Sequence, residues 1–251
     1  MSHARERTFS EPYKITSYLV NLRGKAGLFP ILNLIQDVGW LHAIQLKIEI
    51  APHHGWVFTR QKLVMQEWPG WNETVTLHTW LRPPVGNFLF RDYEVHLGDR
   101  KIGEATSSFT VMDLQTRKSA QLDWSHLKSI WREDGHLSLS PEKLVPESGA
   151  RELARFQVRN SDLDMNNHVN NTKYAQWILD SLPVSMLRAG VNLHAYDVNF
   201  LAEAKSGDEI SIQQLSAAPV EGGLFGNTFQ GVRVADSKPV FTARLWADQA
   251  S

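Results

Sequence analysis

The sequence predicts an α+β chain of two tandem units, each a helix laid on an antiparallel sheet. Three observations predict it. Residues 30–43 and 171–182 both carry apolar side chains at helical spacing. Each of these segments is followed by strand-like runs separated by turn residues. Residue types also recur between the halves at a near-constant offset. Glu67 and Glu203 are 136 apart, as are Glu73 and Glu209; Asp99 and Asp236 are 137 apart, as are Lys101 and Lys238; Gln36 and Gln176 are 140 apart.

In the first half, Ile31, Leu34, Ile35 and Val38 share one helical face, and Pro30 suits a first turn, where its missing N–H costs nothing. In residues 71–81, Val75, Leu77, Thr79 and Leu81 alternate with Thr74, Thr76, His78 and Trp80. Residues 88–97 are rich in aromatic and β-branched side chains, Gly98-Asp99 makes a turn, and 102–112 reads as the return strand. In the second half, Tyr174, Trp177, Ile178 and Leu182 share a face, and Pro183 disfavours a helical Leu182. Strand-like runs follow at 196–201, 209–215, 224–234 and 239–246, with a turn at Asp236-Ser237. A half-covered sheet must bury its apolar face, and the helix of each unit supplies the cover. The expected boundaries are 1–125 for the N-terminal unit, 126–150 for a linker and 151–251 for the C-terminal unit. The connecting stretch, with Pro141, Pro146 and Gly149, is long for a loop and predicts a short helix of its own.

Composition removes several function classes. The chain has 251 residues, 42% of them hydrophobic, which supports a real core. It has no cysteine, which excludes disulfides, thiolate metal sites and a cysteine nucleophile. A net charge of −1 gives no global basic field for nucleic acid. No apolar run approaches the ~18–20 residues that span a bilayer. The first ten residues are polar and lack the apolar core of a secretory signal, so the expected location is cytoplasmic. His53-His54 finds no third ligand at recognisable spacing, and no phosphate loop or Gly-x-Ser-x-Gly elbow occurs, so no metal and no cofactor is expected. Most of the nine tryptophans, Trp40, Trp56, Trp71 and Trp80 among them, are expected in the core, with one or two lining an apolar tunnel.

The densest cluster of functional side chains is Asp162-Leu163-Asp164-Met165-Asn166-Asn167-His168-Val169-Asn170-Asn171, just before the second helix. A calcium loop would need Gly at its sixth position and Glu at its twelfth; here stand Asn167 and Lys173. A structural reading makes Asn170 or Asn171 a helix cap. A hydrolytic reading uses the free N–H groups at the helix start as oxyanion donors, with carboxylate, amide and imidazole gathered to activate a water. The residues alone leave the last two open.

Asp164-Met165-Asn166-Asn167-His168-Val169-Asn170-Asn171, continued by Lys173-Tyr174 and Trp177-Ile178-Leu179-Asp180-Ser181, resembles the signature of the acyl-acyl-carrier-protein thioesterases of plant plastids and bacteria. Pro69-Gly70-Trp71-Asn72-Glu73, Thr79-Trp80, Arg91-Asp92-Tyr93, residues 105–113 and Asn199-Phe200-Leu201-Ala202-Glu203-Ala204 resemble the same family, from about residue 13 to 246. The resemblance implies a double hot-dog fold, catalysis in the C-terminal unit and an acyl pocket in the N-terminal one. It implies catalytic roles for Asp164, Asn166, His168 and Glu203. Where plant members carry a cysteine after the glutamate, this chain has Ala204, which favours direct attack by water with Glu203 as base. The implied substrate is an acyl group on acyl carrier protein. Arg117-Lys118 and Lys25 are candidate contacts for that acidic partner, and a homodimer is open to it. An acyl-coenzyme A thioesterase and a non-catalytic acyl-binding hot-dog module are the alternative readings.

Overall fold

The computed structural model describes residues 7–48, 50–120, 124–189, 192–215, 218–219 and 224–248. The first unit runs β1 (Phe9–Lys14), α1 (Leu28–Leu46), β2 (His54–Met65), β3 (Thr74–Leu81), β4 (Leu89–Leu97) and β5 (Arg100–Asp113). The second runs β6 (Arg151–Gln157), α2 (Lys173–Asp180), α3 (Val184–Ala189), β7 (Leu193–Phe200), β8 (Glu209–Gln214), β9 (Ala218–Pro219), β10 (Leu224–Arg233) and β11 (Lys238–Asp248). Every pairing between these strands is antiparallel, and the order is β1-β3-β4-β5-β2-β7-β11-β10-β8-β6, with β9 on β10. The order is a palindrome about the β2–β7 junction, where Lys62 stands opposite Asp197. The predicted units are therefore joined edge to edge in one sheet, the double hot-dog arrangement.

Four strands escaped the sequence reading, the shortest being the two-residue β9 on β10. β1 carries Pro12 and alternating polar residues, and β6 is charged; both are edge strands, where such residues block unwanted pairing. β2 has Arg60 and Lys62 on the outer face and a bulge between Phe58 and Arg60, which hides its alternation. The helices differ in length more than expected. α1 is 19 residues long, buries Leu28, Ile31, Leu32, Ile35 and Val38, and ends at Lys47 in the left-handed region, φ 50°. α2 has 8 residues, burying Tyr174, Ala175, Trp177 and Ile178, and stops short of Pro183. One core cluster spans both units, with Ile31, Ile35 and Val75 from the first and Tyr196, Phe229 and Phe241 from the second. No described helix is long and apolar enough to cross a membrane.

The connection forms a strap over the outer face of the sheet. Its described residues carry a single three-residue 3-10 turn, Ser125–Leu127, in place of the predicted helix. Buried polar side chains of the sheet supply the strap's backbone partners. Leu137 N–H donates to Asp92 Oδ2 (3.1 Å), and Arg82, itself bonded to Asp92, donates to the carbonyls of Leu137 and Leu139. Glu142 N–H donates to Asp197 Oδ2 (3.0 Å), and Leu144 N–H to Asn199 Oδ1 (3.1 Å). Thr242 Oγ1 donates to the Leu144 carbonyl, and Gln230 bonds both backbone groups of Glu147. A buried backbone needs such partners, and here they come from side chains because the sheet's own backbone is already paired.

Candidate active site

Residues 164–168 form a tight loop between a 3-10 turn (Asn160–Asp162) and α2. Asp164 N–H donates to the His168 carbonyl at 2.8 Å, and Asn167 N–H to the Asp164 carbonyl at 3.0 Å. The Asp164 carboxylate accepts from the N–H groups of Asn166 (2.8 Å) and His168 (3.3 Å). Asn167 takes the left-handed φ of 61°, which asparagine tolerates better than most residues. Asn170 Oδ1 accepts from both the N–H and the hydroxyl of Thr172, folding the chain into α2. Asn170 thus shapes the helix entry, as the structural reading has it, while Asn166 is exposed and His168 half-buried.

Glu203 follows β7. Val169 N–H donates to the Ala204 carbonyl (2.9 Å), which docks the loop beside it, and Arg233 holds the Glu203 carbonyl at 3.0 Å. His168 Nε2 lies 3.6 Å from Glu203 Oε2, each side chain 34% exposed. Arg117, at φ 58° in the turn after β5, donates to Glu203 Oε2 at 3.0 Å. That contact joins the first unit to the second unit's carboxylate. The sequence made Arg117 a candidate carrier contact or a solvated surface residue; no local pattern signals a partner 86 residues away. Ala204 is fully buried, so its position presents no side chain to solvent.

A cavity of about 930 Å³ opens at this cluster. Asp164, Asn166, His168, Glu203 and Arg117 line one part of it. From there it reaches under α1, against Leu32, Trp40 and Ile44, and across Phe58, Leu89 and Phe109 of the first unit's sheet. Trp40 and Trp56 line it, as expected of one or two of the tryptophans, while Trp80, Trp124, Trp131, Trp177 and Trp246 are buried; Trp71 alone of the four named is neither, being exposed. The fold also brings Asp113 to His53 and His54, with one potential ligand atom from each residue all within 4.8 Å of one another. Asp113 already accepts from the N–H groups of Gln115 and Thr116.

The first unit contains a twin of the loop. Asn21 N–H donates to the Lys25 carbonyl (2.8 Å), Gly24 N–H to the Asn21 carbonyl (3.0 Å), and Asn21 Oδ1 accepts from Arg23 N–H (2.9 Å) and Lys25 N–H (3.4 Å). Gly24 has φ 69°. Ala26 N–H donates to the Pro69 carbonyl (2.8 Å), as Val169 does to Ala204. The N–H groups of Gln66 and Glu67 share the Ile102 carbonyl, as those of Leu201 and Ala202 share Val240. By these bonds Asn21 matches Asp164, Arg23 matches Asn166, Lys25 matches His168 and Trp68 matches Glu203. The glutamate pair that suggested the repeat is one residue out of register.

Comparison with known proteins bears on this geometry. The family profile described as acyl-ACP thioesterase N-terminal domain matches residues 6–128, and that described as acyl-ACP thioesterase C-terminal domain matches 147–236. A palmitoyl-acyl carrier protein thioesterase of Cuphea hookeriana is 26% identical over 94% of this chain and 61% of its own length. An oleoyl-acyl carrier protein thioesterase of Arabidopsis thaliana is 24% identical over 96% of this chain and 73% of its own. The chain thus spans about three fifths of the first of these relatives. Among solved structures, an acyl-ACP thioesterase from Bacteroides thetaiotaomicron superposes with a TM-score of 0.86 at 22% identity, covering 99% of this chain and 100% of that one. At that identity the likeness speaks to the fold.

Proposed function

This chain belongs to the acyl-ACP thioesterase family, and from that premise we propose that it hydrolyses acyl-acyl carrier protein to free fatty acid and carrier protein. The observation that carries the proposal is Glu203 beside His168 at the mouth of a long cavity that runs into the other unit. Glu203 removes a proton from water, and the hydroxyl adds to the thioester carbonyl carbon. The tetrahedral oxyanion collapses, the C–S bond breaks, and the carrier thiolate takes up the proton held at Glu203. His168 orients the carboxylate from Nε2, and Asn166 lies where its amide can hold the water. The N–H of Asn171, a residue lining the cavity just before α2, is the candidate oxyanion donor, since Asn170 takes those of Thr172 and Lys173. Asp164 shapes the loop that presents these groups. The second unit is thus the chemical one, and the first, with α1 over the cavity, takes the acyl chain.

The test is an assay of released fatty acid from carrier-bound chains of graded length, with acyl-coenzyme A competing. Hydrolysis should proceed without acyl label on the protein, and thiol-alkylating reagents should leave it intact. A product burst with label retained would overturn the water mechanism. No hydrolysis of any carrier-bound chain would leave the acyl-binding reading. The carrier is acidic, as the family resemblance implies, and Lys47, Lys205 and Lys238 line the cavity with Arg117, so KM should rise with salt. A KM flat in ionic strength would remove the electrostatic docking.

A further inference from the structure

Spacing along the chain leaves His53-His54 without a third metal ligand, and strand pairing supplies one. His54 opens β2 and stands opposite Asp113, the last residue of β5. Neighbouring side chains on a strand point to opposite faces, and these two histidines do not. His54 N–H donates to the Ala51 carbonyl at 2.8 Å, which turns the chain just ahead of β2, and the two rings lie side by side with 4.2 Å between centroids. One ring nitrogen from each and one Asp113 carboxylate oxygen lie within 4.8 Å of one another. Among the described residues neither ring makes a hydrogen bond, and His54 Nδ1 is shut off from solvent. A buried ring nitrogen without a partner is costly. With the proton on Nε2, its lone pair is open to a cation.

Asp113 is also the foot of the turn that carries Arg117. Its Oδ1 accepts the N–H groups of Gln115 (2.9 Å) and Thr116 (2.8 Å), and its carbonyl accepts Arg117 N–H (2.8 Å). Leu114 N–H donates to the His53 carbonyl (2.8 Å), which ties the turn to the histidine pair. A carboxylate has about four lone-pair sites, so these N–H groups leave room for a metal bond. The backbone aims and holds the carboxylate, as outer-shell hydrogen bonds hold the carboxylates that ligate metals. Two imidazoles and one carboxylate suit zinc and its d-block neighbours, whereas magnesium and calcium prefer all-oxygen sets. Three protein ligands leave the fourth tetrahedral position to water. At the far end of the turn Arg117 donates to Glu203, so an ion held at Asp113 would pin the segment through which the first unit reaches the second unit's carboxylate.

We propose that His53, His54 and Asp113 form a zinc site that clamps the 113–118 turn to the start of β2. The site is separate from the catalytic cluster proposed above, and its test needs no hydrolysis. Calorimetric titration of the chelator-treated protein with zinc chloride should show one ion bound per chain at micromolar zinc. Cobalt(II) in its place should give the visible absorption of a four-coordinate ion. Zinc should raise the thermal midpoint as it saturates and slow amide exchange at residues 114–117. His53→Ala keeps the carbonyl that Leu114 uses, and Asp113→Asn keeps an acceptor for the N–H groups of Gln115 and Thr116, so the turn survives in both. Each should weaken zinc binding by about 10²-fold or more, beyond the ~10–100-fold cost of losing an outer-shell partner, and remove the cobalt absorption. His96→Ala, which breaks the other close histidine pair, with His78 at 4.7 Å, should bind zinc as wild type does. Should a variant fail to fold, the wild type decides alone: the slowing of exchange by zinc must centre on residues 53–54 and 113–117. Binding only at millimolar zinc, binding that survives both His53→Ala and Asp113→Asn, loss of binding in His96→Ala, or exchange at 114–117 that ignores zinc would overturn the site.

Discussion

The loops at 21–25 and 164–168 share a backbone and differ in side chains. Both close with the same N–H to carbonyl bonds, both turn through a left-handed residue, and both dock on the chain that leaves their unit's strand at the junction. One presents Asp164, Asn166 and His168 next to Glu203; the other presents Asn21, Arg23 and Lys25 next to Trp68. Whatever the two have in common is the requirement of the fold. Whatever the second loop has alone is available for chemistry. On that division Asp164 falls with the fold, since Asn21 does the same work, while His168 and Glu203 stand where the first unit has Lys25 and Trp68. The helices divide in a complementary way: long α1 roofs the cavity, and short α2 leaves the mouth open beside the cluster.

The comparison breaks most sharply at Glu203. Glu203→Gln keeps the shape and removes the base, so turnover should fall by about 10²-fold or more with KM near normal. Glu67→Gln removes only an exposed ion pair with Arg100 and should stay within about twofold of wild type. Steady-state kinetics on the two variants decides between them. Glu203→Gln with most of its turnover, or Glu67→Gln as the damaging change, would mean that the carboxylate of the second unit is not the base.

The repeat was legible because a helix over an antiparallel sheet imposes the same two periods on each half. Ile31, Ile35 and Val38 carry the helical period in one half, and Tyr174, Trp177 and Ile178 in the other. The cluster at 164–168 was legible because its polar residues interrupt those periods. The outer face of the sheet was not. Nothing in the local pattern marks Asp92, Asp197 and Asn199 for burial; they are buried because the strap covers them with partners of its own. The register of the repeat was misread for a related reason: matching letters at Glu67 and Glu203 carry no information about hydrogen bonds, which alone align Trp68 with Glu203.

Lys62 and Asp197 test the junction of the two units. They face each other at its centre, Nζ to Oδ2 3.6 Å, and burial pushes Asp197 up to about 6 despite the cation. An unfolded aspartate titrates near about 4, so between about 4 and 6 the folded chain holds the extra proton. This group's contribution to stability is therefore full below about pH 4 and declines as pH rises through about 6. Asp197→Asn keeps an acceptor for Glu142 N–H and does not titrate. The variant should gain on wild type by up to about 3 kcal/mol as pH rises from 4 to 7, from a two-unit shift. Denaturant melts of both proteins across that range measure the difference. Parallel curves would show that the junction does not hold Asp197 in a raised state.

The smallest effect is the most telling. Asp164→Asn writes into the second loop the residue that its twin already carries. Asn21 Oδ1 accepts the N–H groups of Arg23 and Lys25 as Asp164 Oδ1 accepts those of Asn166 and His168. An amide oxygen can therefore close this loop, and Asp164→Asn should keep turnover within about threefold, a loss below one hydrogen bond's worth. Asp164→Ala removes the acceptor from two N–H groups at once, at about 0.5–1.5 kcal/mol each, and should free the loop that carries Asn166 and His168. Its turnover should fall by about tenfold or more, and amide exchange at residues 166 and 168 should quicken, a readout that a purely chemical role for the carboxylate would not move. If Asp164→Asn loses as much turnover as Glu203→Gln while exchange at 166 and 168 stays slow, the negative charge itself is required. The two loops would then differ in a third catalytic group, and Asn21 would mark what the first unit lost.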